Sequence, residues 1–170
     1  MPSNLDAHIK RSHIVSFSLL ALFSFIEWVI CAVLVSSYNS HNDYPSHSIR
    51  DRVRFLLFVG LWSFLFSFFY LAGFLTAATS FLFSIASHAV WIGITWVFWL
   101  AGAAAITDTL GGGLDCGNFH LAHCHQLNAV EAFGWINWIL ITFLLAFVLF
   151  AGARSARSGN GFGGPLTPAV

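Results

Sequence analysis

The fold is decided by apolar runs such as residues 53–76, which read VRFLLFVGLWSFLFSFFYLAGFLT. The run contains one charged residue, Arg54, near its start, and it contains no proline. A helix rises about 1.5 Å per residue, so a run of this length crosses a hydrocarbon layer of about 30 Å. We therefore expect residues 53–76 to form a transmembrane helix.

Three more runs of similar length and character bring the expected number of spans to four. They are residues 14–36, 81–106 and 127–153. Polar connections separate them at 37–52 and 107–126. The connection at 77–80 is short and uncharged, which predicts a tight hairpin between the second and third spans. The expected fold class is all-α, an antiparallel bundle of four transmembrane helices.

The composition of the whole chain is typical of a protein whose solvent is lipid. Of the 170 residues, 58% are hydrophobic and 8% are charged, too few charges for the surface of a soluble domain of this size. Seven basic residues balance seven acidic ones, so no net field attracts nucleic acid. The sequence has no phosphate-binding glycine loop, nucleophile elbow, Cys-x-x-Cys or zinc-protease helix. We expect a non-enzymatic protein without a cofactor and without a nucleic-acid partner.

The residues outside the membrane domain, which we place at 14–153, are expected to be two tails. Residues 1–13 are polar and lack the cleavage site of a removable signal peptide, which predicts that the first span is retained. Residues 154–170 are rich in Gly and Pro and poor in apolar surface, which is typical of a flexible tail. Because the number of spans is even, both tails lie on the same side of the membrane.

Two cysteines and three histidines lie close together in the second polar connection. The preferred interpretation is a disulfide between Cys116 and Cys124, which stabilises by about 2.5 kcal/mol through loop entropy. The alternative is a zinc or copper site of Cys116, His120, His123 and Cys124, although the close ligand pairs usual in structural zinc sites are missing. Paired thiols favour an oxidising compartment, which places both tails in the cytosol.

Small, aromatic and polar residues recur at helical spacing on the last three spans. Helices in a bilayer associate through close packing and polar contacts, so such stripes indicate the inward faces. We prefer core packing over an aromatic ligand pocket, because stripes of this kind commonly fill space. The stripes are Gly60, Ser63, Ser67 and Tyr70 on the second span, His88, Trp91, Thr95, Trp99 and Gly102 on the third, and Glu131, Trp135, Trp138 and Thr142 on the fourth.

Two glutamates and one histidine lie within the predicted spans. Glu27 is the most informative of them, because an ionised carboxylate near mid-bilayer costs on the order of 3 kcal/mol. In the structural interpretation, the carboxyl of Glu27 is protonated and fixes the register of the helices. Its functional interpretation is a proton or cation relay with His88, from which it is offset by about 9 Å along the bundle. Glu131 lies in the first turns of its span, where it favours the positive end of the helix dipole.

The second half of the chain carries a family resemblance. Residues 96–105 read WVFWLAGAAA, Asp108, Cys116 and Cys124 follow, and residues 129–140 read AVEAFGWINWIL. In these features the chain resembles the MARVEL-domain tetraspans, most closely their fungal members. The resemblance implies a four-helix bundle with cytosolic termini and a cysteine pair in the second outer loop. It also implies a non-catalytic role in membrane apposition, vesicle traffic or the organisation of lipid microdomains.

The leading functional hypothesis is therefore a membrane organiser in the plasma membrane or in secretory-pathway vesicles. Its expected partners are membrane lipids, sterols among them, further copies of the chain and other membrane proteins. One alternative is a channel or proton-coupled transporter subunit that uses Glu27 and His88. Another alternative is an accessory subunit of a larger membrane complex.

Overall fold

Four long helices form the part of the chain that the computed structural model describes, which is residues 4–76, 85–117 and 121–157. The helices are α1 (Asn4–His41), α2 (His47–Thr76), α3 (Ile85–Leu110) and α4 (Cys124–Arg157). Each contains a segment long and apolar enough to cross a membrane; these segments are Ile14–His41, His47–Gly73, Ala86–Leu110 and Cys124–Arg154. The predicted all-α bundle of four spans is confirmed, while the predicted hairpin at 77–80 lies outside the described residues.

The first polar connection is shorter than the sequence suggests. We call residues 42–46 the first loop, because these alone of the predicted 37–52 lie outside the helices. Asn42 ends α1 with a left-handed φ of 53°, and its N–H donates to the carbonyl of Tyr38 at 3.2 Å. Ser46 precedes α2 and caps it, because its Oγ accepts the N–H of Ile49 at 3.1 Å. The caps set these boundaries, and the remaining polar residues lie on helix ends.

Glycines end α3 and begin the second loop, which we define as residues 111–117 and 121–123, the part of this connection that the structure describes. Gly111 and Gly112 have φ of 75° and 89°, and the N–H of Gly112 donates to the carbonyl of Thr107 at 3.0 Å. This is the bond of a Schellman cap, in which left-handed glycine satisfies the last carbonyls of a helix. The side chain of Asn128 on α4 then binds both backbone groups of Leu114 at 2.8 Å. The start of the second loop is thereby held against α4.

The helices contact one another in a ring, in which α1 packs on α2 and α4, and α3 packs on the same two helices. Successive helices run in opposite directions, so the beginning of α1 and the end of α4 lie at one face. The first and second loops lie at the opposite face, which we call the loop face.

Glycine permits the closest approach between α1 and α2. A Cβ atom added at Gly60 would lie 3.1 Å from the backbone nitrogen of Trp28 and 3.2 Å from the carbonyl oxygen of Ser24. A Cβ added at Gly134 of α4 would lie 3.5 Å from the Cβ of Ala103 on α3. Small residues therefore set the helix separation here, as is common in membrane bundles.

The outward surface is apolar on all four helices. Large apolar side chains that are at least half exposed include Leu22 and Val33 on α1, Phe58 and Phe68 on α2, Val90 and Val97 on α3, and Phe143 and Phe150 on α4. A soluble monomer rarely exposes a continuous apolar surface of this kind, whereas lipid chains cover it without cost. The chain is therefore an integral, multi-pass membrane protein.

Candidate functional site

A cluster of polar side chains joins the two loops at the loop face. Ser37 and Tyr38 belong to the last turn of α1, Asp43 to the first loop and His123 to the second. His123 Nε2 lies 2.8 Å from Asp43 Oδ2 and 3.2 Å from Ser37 Oγ. Ser37 Oγ also donates to Asp43 Oδ2, at 3.1 Å. We call these four residues the loop clasp.

The clasp is arranged to keep its carboxylate ionised. The hydrogen bond with His123 lowers the pKa of Asp43 below its ordinary value, and the hydrogen bond from Ser37 acts in the same direction. The ring of Tyr38 meets the imidazole of His123 edge-on, with 5.8 Å between centroids, and meets Tyr44 edge-on at 6.3 Å. A buried aromatic residue thus lies beneath the polar contact.

The clasp does not have the geometry of a Ser-His-Asp hydrolase. In such a triad the serine and the carboxylate bind different nitrogens of the imidazole, so that a proton can pass between them. Here Ser37 and Asp43 both contact Nε2 of His123. The arrangement links two loops and does not activate the serine as a nucleophile.

A disulfide joins Cys116 and Cys124, as predicted, with a Cα–Cα distance of 5.7 Å. The bond fixes Cys124, which directly follows His123. Because each sulfur is bonded to the other, neither is available as a thiolate ligand, which removes the alternative metal site built on this pair. His120, the other histidine of that alternative, lies outside the described residues. Cys31 is a free thiol and is buried.

Tryptophan indoles form hydrogen bonds between neighbouring helices. Four indole N–H groups donate to hydroxyls on a neighbouring helix at 2.8–3.1 Å: Trp62 to Thr95, Trp96 to Thr142, Trp99 to Ser63 and Trp135 to Thr107. The hydrocarbon core offers no water, so these donors need a partner within the protein. All the stripe residues named on α2 and α3 are buried. The bonds connect α3 to α2 on one side and to α4 on the other.

The inward face of α4 differs from the expected one. The expected stripe, from Glu131 to Thr142, is half-buried and lies along the seam with α3. The fully buried face is Leu127, Val130, Asn137, Ile141 and Val148, with Gly134 between them. The large polar side chains reach sideways to partners on α3, and smaller or aliphatic groups fill the centre.

Glu131 has a bonding partner in place of the expected interaction with the helix dipole. The hydroxyl of Thr107 donates to Glu131 Oε1 at 2.8 Å. Because α4 begins at Cys124, Glu131 lies beyond the first turn, where the dipole effect has faded. Its contact with α3 therefore replaces the dipole interpretation.

Glu27 and His88 are both fully buried, but the structure does not bring them together. The ring of His88 packs on Phe17, with 6.1 Å between centroids, and on Tyr70 at 4.4 Å. Glu27 lies about 15 Å further along α1 than Phe17, at 1.5 Å per residue. The thiol of Cys31 donates to Glu27 Oε1 at 3.7 Å, and Oε2 has no hydrogen-bond partner among the described residues.

The contacts of the loop clasp escaped the sequence reasoning, although His123 itself was a candidate metal ligand. Asp43 and His123 are 80 positions apart, and no local pattern joins them. The inward face of α4, by contrast, carries a signal, because Val130, Gly134, Asn137 and Ile141 recur at steps of three and four. Asn137 accepts a hydrogen bond from Ser24 of α1 at 3.3 Å.

The comparison with protein families agrees with this architecture. The family model for MARVEL, described as a membrane-associating domain, matches residues 16–152. Neither a curated protein nor a solved structure matches the chain. The family match covers most of the chain and spans α1 to α4. The chain therefore belongs to the MARVEL family of four-span membrane proteins.

Proposed function

We propose that the protein organises membrane subdomains, in membrane apposition or vesicle traffic, by associating laterally with lipids, sterols among them, with copies of itself and with other membrane proteins. The observation that carries the proposal is the apolar outer surface, which all four helices share. A protein with this surface acts on its surroundings through what it packs against in the plane of the membrane.

We further propose that both tails are cytosolic, that the carboxyl-terminal tail is flexible, and that the protein resides in the plasma membrane or in secretory-pathway vesicles. The disulfide between Cys116 and Cys124 supports this orientation, because disulfides persist in oxidising compartments and not in the cytosol. The loop face would then be extracellular or lumenal.

The outer surface of α3 supports self-association in particular. Ala101 and Ala104 are exposed on it, and a Cβ added at Gly93 would meet nothing within 4 Å. The same surface also exposes Val90 and Val97, but the described part of α3 exposes no aromatic ring, whereas Phe143 on the outer surface of α4 is 70% exposed. Small outward residues allow two backbones to approach closely in a bilayer, whereas large rings keep them apart. In the proposal, copies of the chain meet through α3.

Energy transfer between labelled copies in liposomes tests this proposal. Donor-labelled and acceptor-labelled protein should show transfer above the random value, and the excess should persist as lipid is added. Replacing both Ala101 and Ala104 with Leu should lower the excess, because the larger side chains separate the helices. The control Phe143→Leu, on the outer surface of α4, should leave it unchanged. Random transfer at every lipid ratio would contradict lateral self-association.

Glu27 gives a reason to test a second function, proton-coupled transport. Its Oε2 atom is buried and has no partner among the described residues, and intramembrane carboxyls of this kind occur in proton pathways. The separation of Glu27 from His88 weighs against a direct relay between the two. If the protein is an organiser, the fluorescence of a pH-sensitive dye enclosed in the liposomes should not change when a pH gradient is applied. A proton flux that Glu27→Gln abolishes would favour transport instead.

A further inference from the structure

We propose that the first loop is a lid over the loop-face end of the bundle, and that the loop clasp is the latch that holds it closed. The inference concerns a conformational device in the fold and does not depend on the proposed function. It follows from three features of the loop face. A disulfide fixes the second loop, one described hydrogen bond joins the first loop to it, and two polar atoms nearby are buried without partners among the described residues.

The second loop supplies the rigid side of the latch. The disulfide ties Cys116 to the first residue of α4, and the amide of Asn128 holds the backbone of Leu114. His123 has a left-handed φ of 61°, and its carbonyl accepts the N–H of Leu127 at 2.9 Å. The disulfide and these hydrogen bonds therefore fix the backbone that carries the imidazole of His123.

The first loop is held by residues close to it in the chain and by the core. Asp43 also accepts a hydrogen bond from Ser37, and Tyr44 packs against the hydrophobic core. Asn42 caps α1, Ser46 caps α2, and the Arg50 guanidinium lies 4.8 Å from the centre of the Tyr44 ring. Among the described contacts, the one that connects this loop to the second loop is Asp43 with His123. Breaking that contact leaves both helix caps intact. In the proposal, the bond from Ser37 and the packing of Tyr44 then break as well, and the loop moves while the helices stay folded.

Closure buries polar atoms that water would otherwise hydrate. Tyr38 is 1% exposed, and its hydroxyl has no hydrogen-bond partner among the described residues. Asp43 Oδ1, on the lid itself, is also buried without a partner within the described part of the chain. Leaving such groups unsatisfied is costly, and opening the lid removes that cost. The latch and the unsatisfied atoms therefore favour opposite positions of the first loop, as a two-state element requires.

The test is nitration of Tyr38 by tetranitromethane in the full-length protein, combined with amide hydrogen exchange of residues 42–46. In the wild type Tyr38 should react slowly. His123→Ala and Asp43→Asn should each raise both the nitration rate of Tyr38 and the exchange of the loop, roughly ten- to hundredfold, because each removes a charge-assisted hydrogen bond. His125→Ala is the matched control, since His125 is exposed and lies two residues away.

Tyr70 serves as the internal reference, because it is buried near the opposite end of the bundle. If only the first loop opens, Tyr70 should still be nitrated slowly in His123→Ala and Asp43→Asn. Unchanged reactivity of Tyr38 in both variants would overturn the proposal. An equal rise at Tyr38 and Tyr70 would overturn it too, because that result means that the whole bundle opens.

Discussion

At the scale of single residues, hydroxyl and indole groups supply the partners that hydrocarbon does not. Trp99 is fully buried and donates to Ser63, which is also fully buried. Trp138 lies in the same bundle, but its indole N–H has no partner among the described residues. The same substitution at these two positions therefore separates the effect of the hydrogen bond from that of the ring.

We expect Trp99→Phe to destabilise the protein by about 1–3 kcal/mol, because it leaves the Ser63 hydroxyl without its donor and leaves a small void. Trp138→Phe should cost distinctly less, since it removes a donor that has no acceptor in the described part of the chain. Equilibrium unfolding in mixed micelles measures both. Equal losses of stability would mean that the bond from Trp99 to Ser63 contributes nothing.

Asp43 gives the loop face a pH dependence. The hydrogen bond with His123 lowers the pKa of Asp43, so folding favours the ionised carboxylate. Its contribution to stability is fully present above the ordinary aspartate pKa of about 4 and is lost as the pH falls through the lower folded-state value. The melting temperature of the wild type should exceed that of Asp43→Asn near pH 6, and the difference should shrink below about pH 4. A constant difference would contradict the assignment.

At the scale of helices, the separations between neighbours rest on a few glycines. The atoms facing Gly60 belong to the backbone of α1, whereas those facing Gly102 are mainly the end of the Leu56 side chain. Backbone cannot yield without moving a whole helix, but a leucine can change rotamer. Gly93 faces no atom within 4 Å.

Alanine at these three glycines should give a graded series. Gly60→Ala is expected to destabilise by about 1–3 kcal/mol, because α1 and α2 must separate. Gly102→Ala should have a smaller effect, and Gly93→Ala should be neutral or stabilise by up to about 1 kcal/mol through helix propensity. Equilibrium unfolding in mixed micelles measures the change in the free energy of unfolding for each variant and so gives their order. A loss at Gly93 as large as the loss at Gly60 would show that the effect is not one of packing.

The helices were largely predictable from the sequence, and their ends and rotations were less so. Length and apolar character alone determine that residues 53–76 cross the membrane. The end of α1 depends on a cap at Asn42, which polarity does not reveal. The rotation of α4 was misjudged because Glu131 and Trp135 look like core-facing polar residues, yet they reach across to Thr107 from the side.

At the scale of the whole molecule, the ring of helices brings together residues that are remote in sequence. The loop clasp depends on α1 and α4 lying side by side, so the residues near Asp43 could not predict it. The disulfide was predictable because its cysteines are 8 positions apart in one polar connection. The positions of Glu27 and His88 depend on how the helices are aligned, and that alignment keeps them apart.

The central claim is that four spans place both ends of the membrane domain on one side and both loops on the other. Labelling of single introduced cysteines with a membrane-impermeant maleimide tests it most directly. Background labelling should be low, because Cys31 is buried and the other two cysteines are bonded to each other.

The positions for labelling are all exposed, namely Ser12, His41, Gly113 and Arg157. In sealed vesicles of uniform orientation, Ser12→Cys and Arg157→Cys should share one accessibility, and His41→Cys and Gly113→Cys should share the opposite one. Different accessibilities for Ser12→Cys and Arg157→Cys would contradict the four-span bundle.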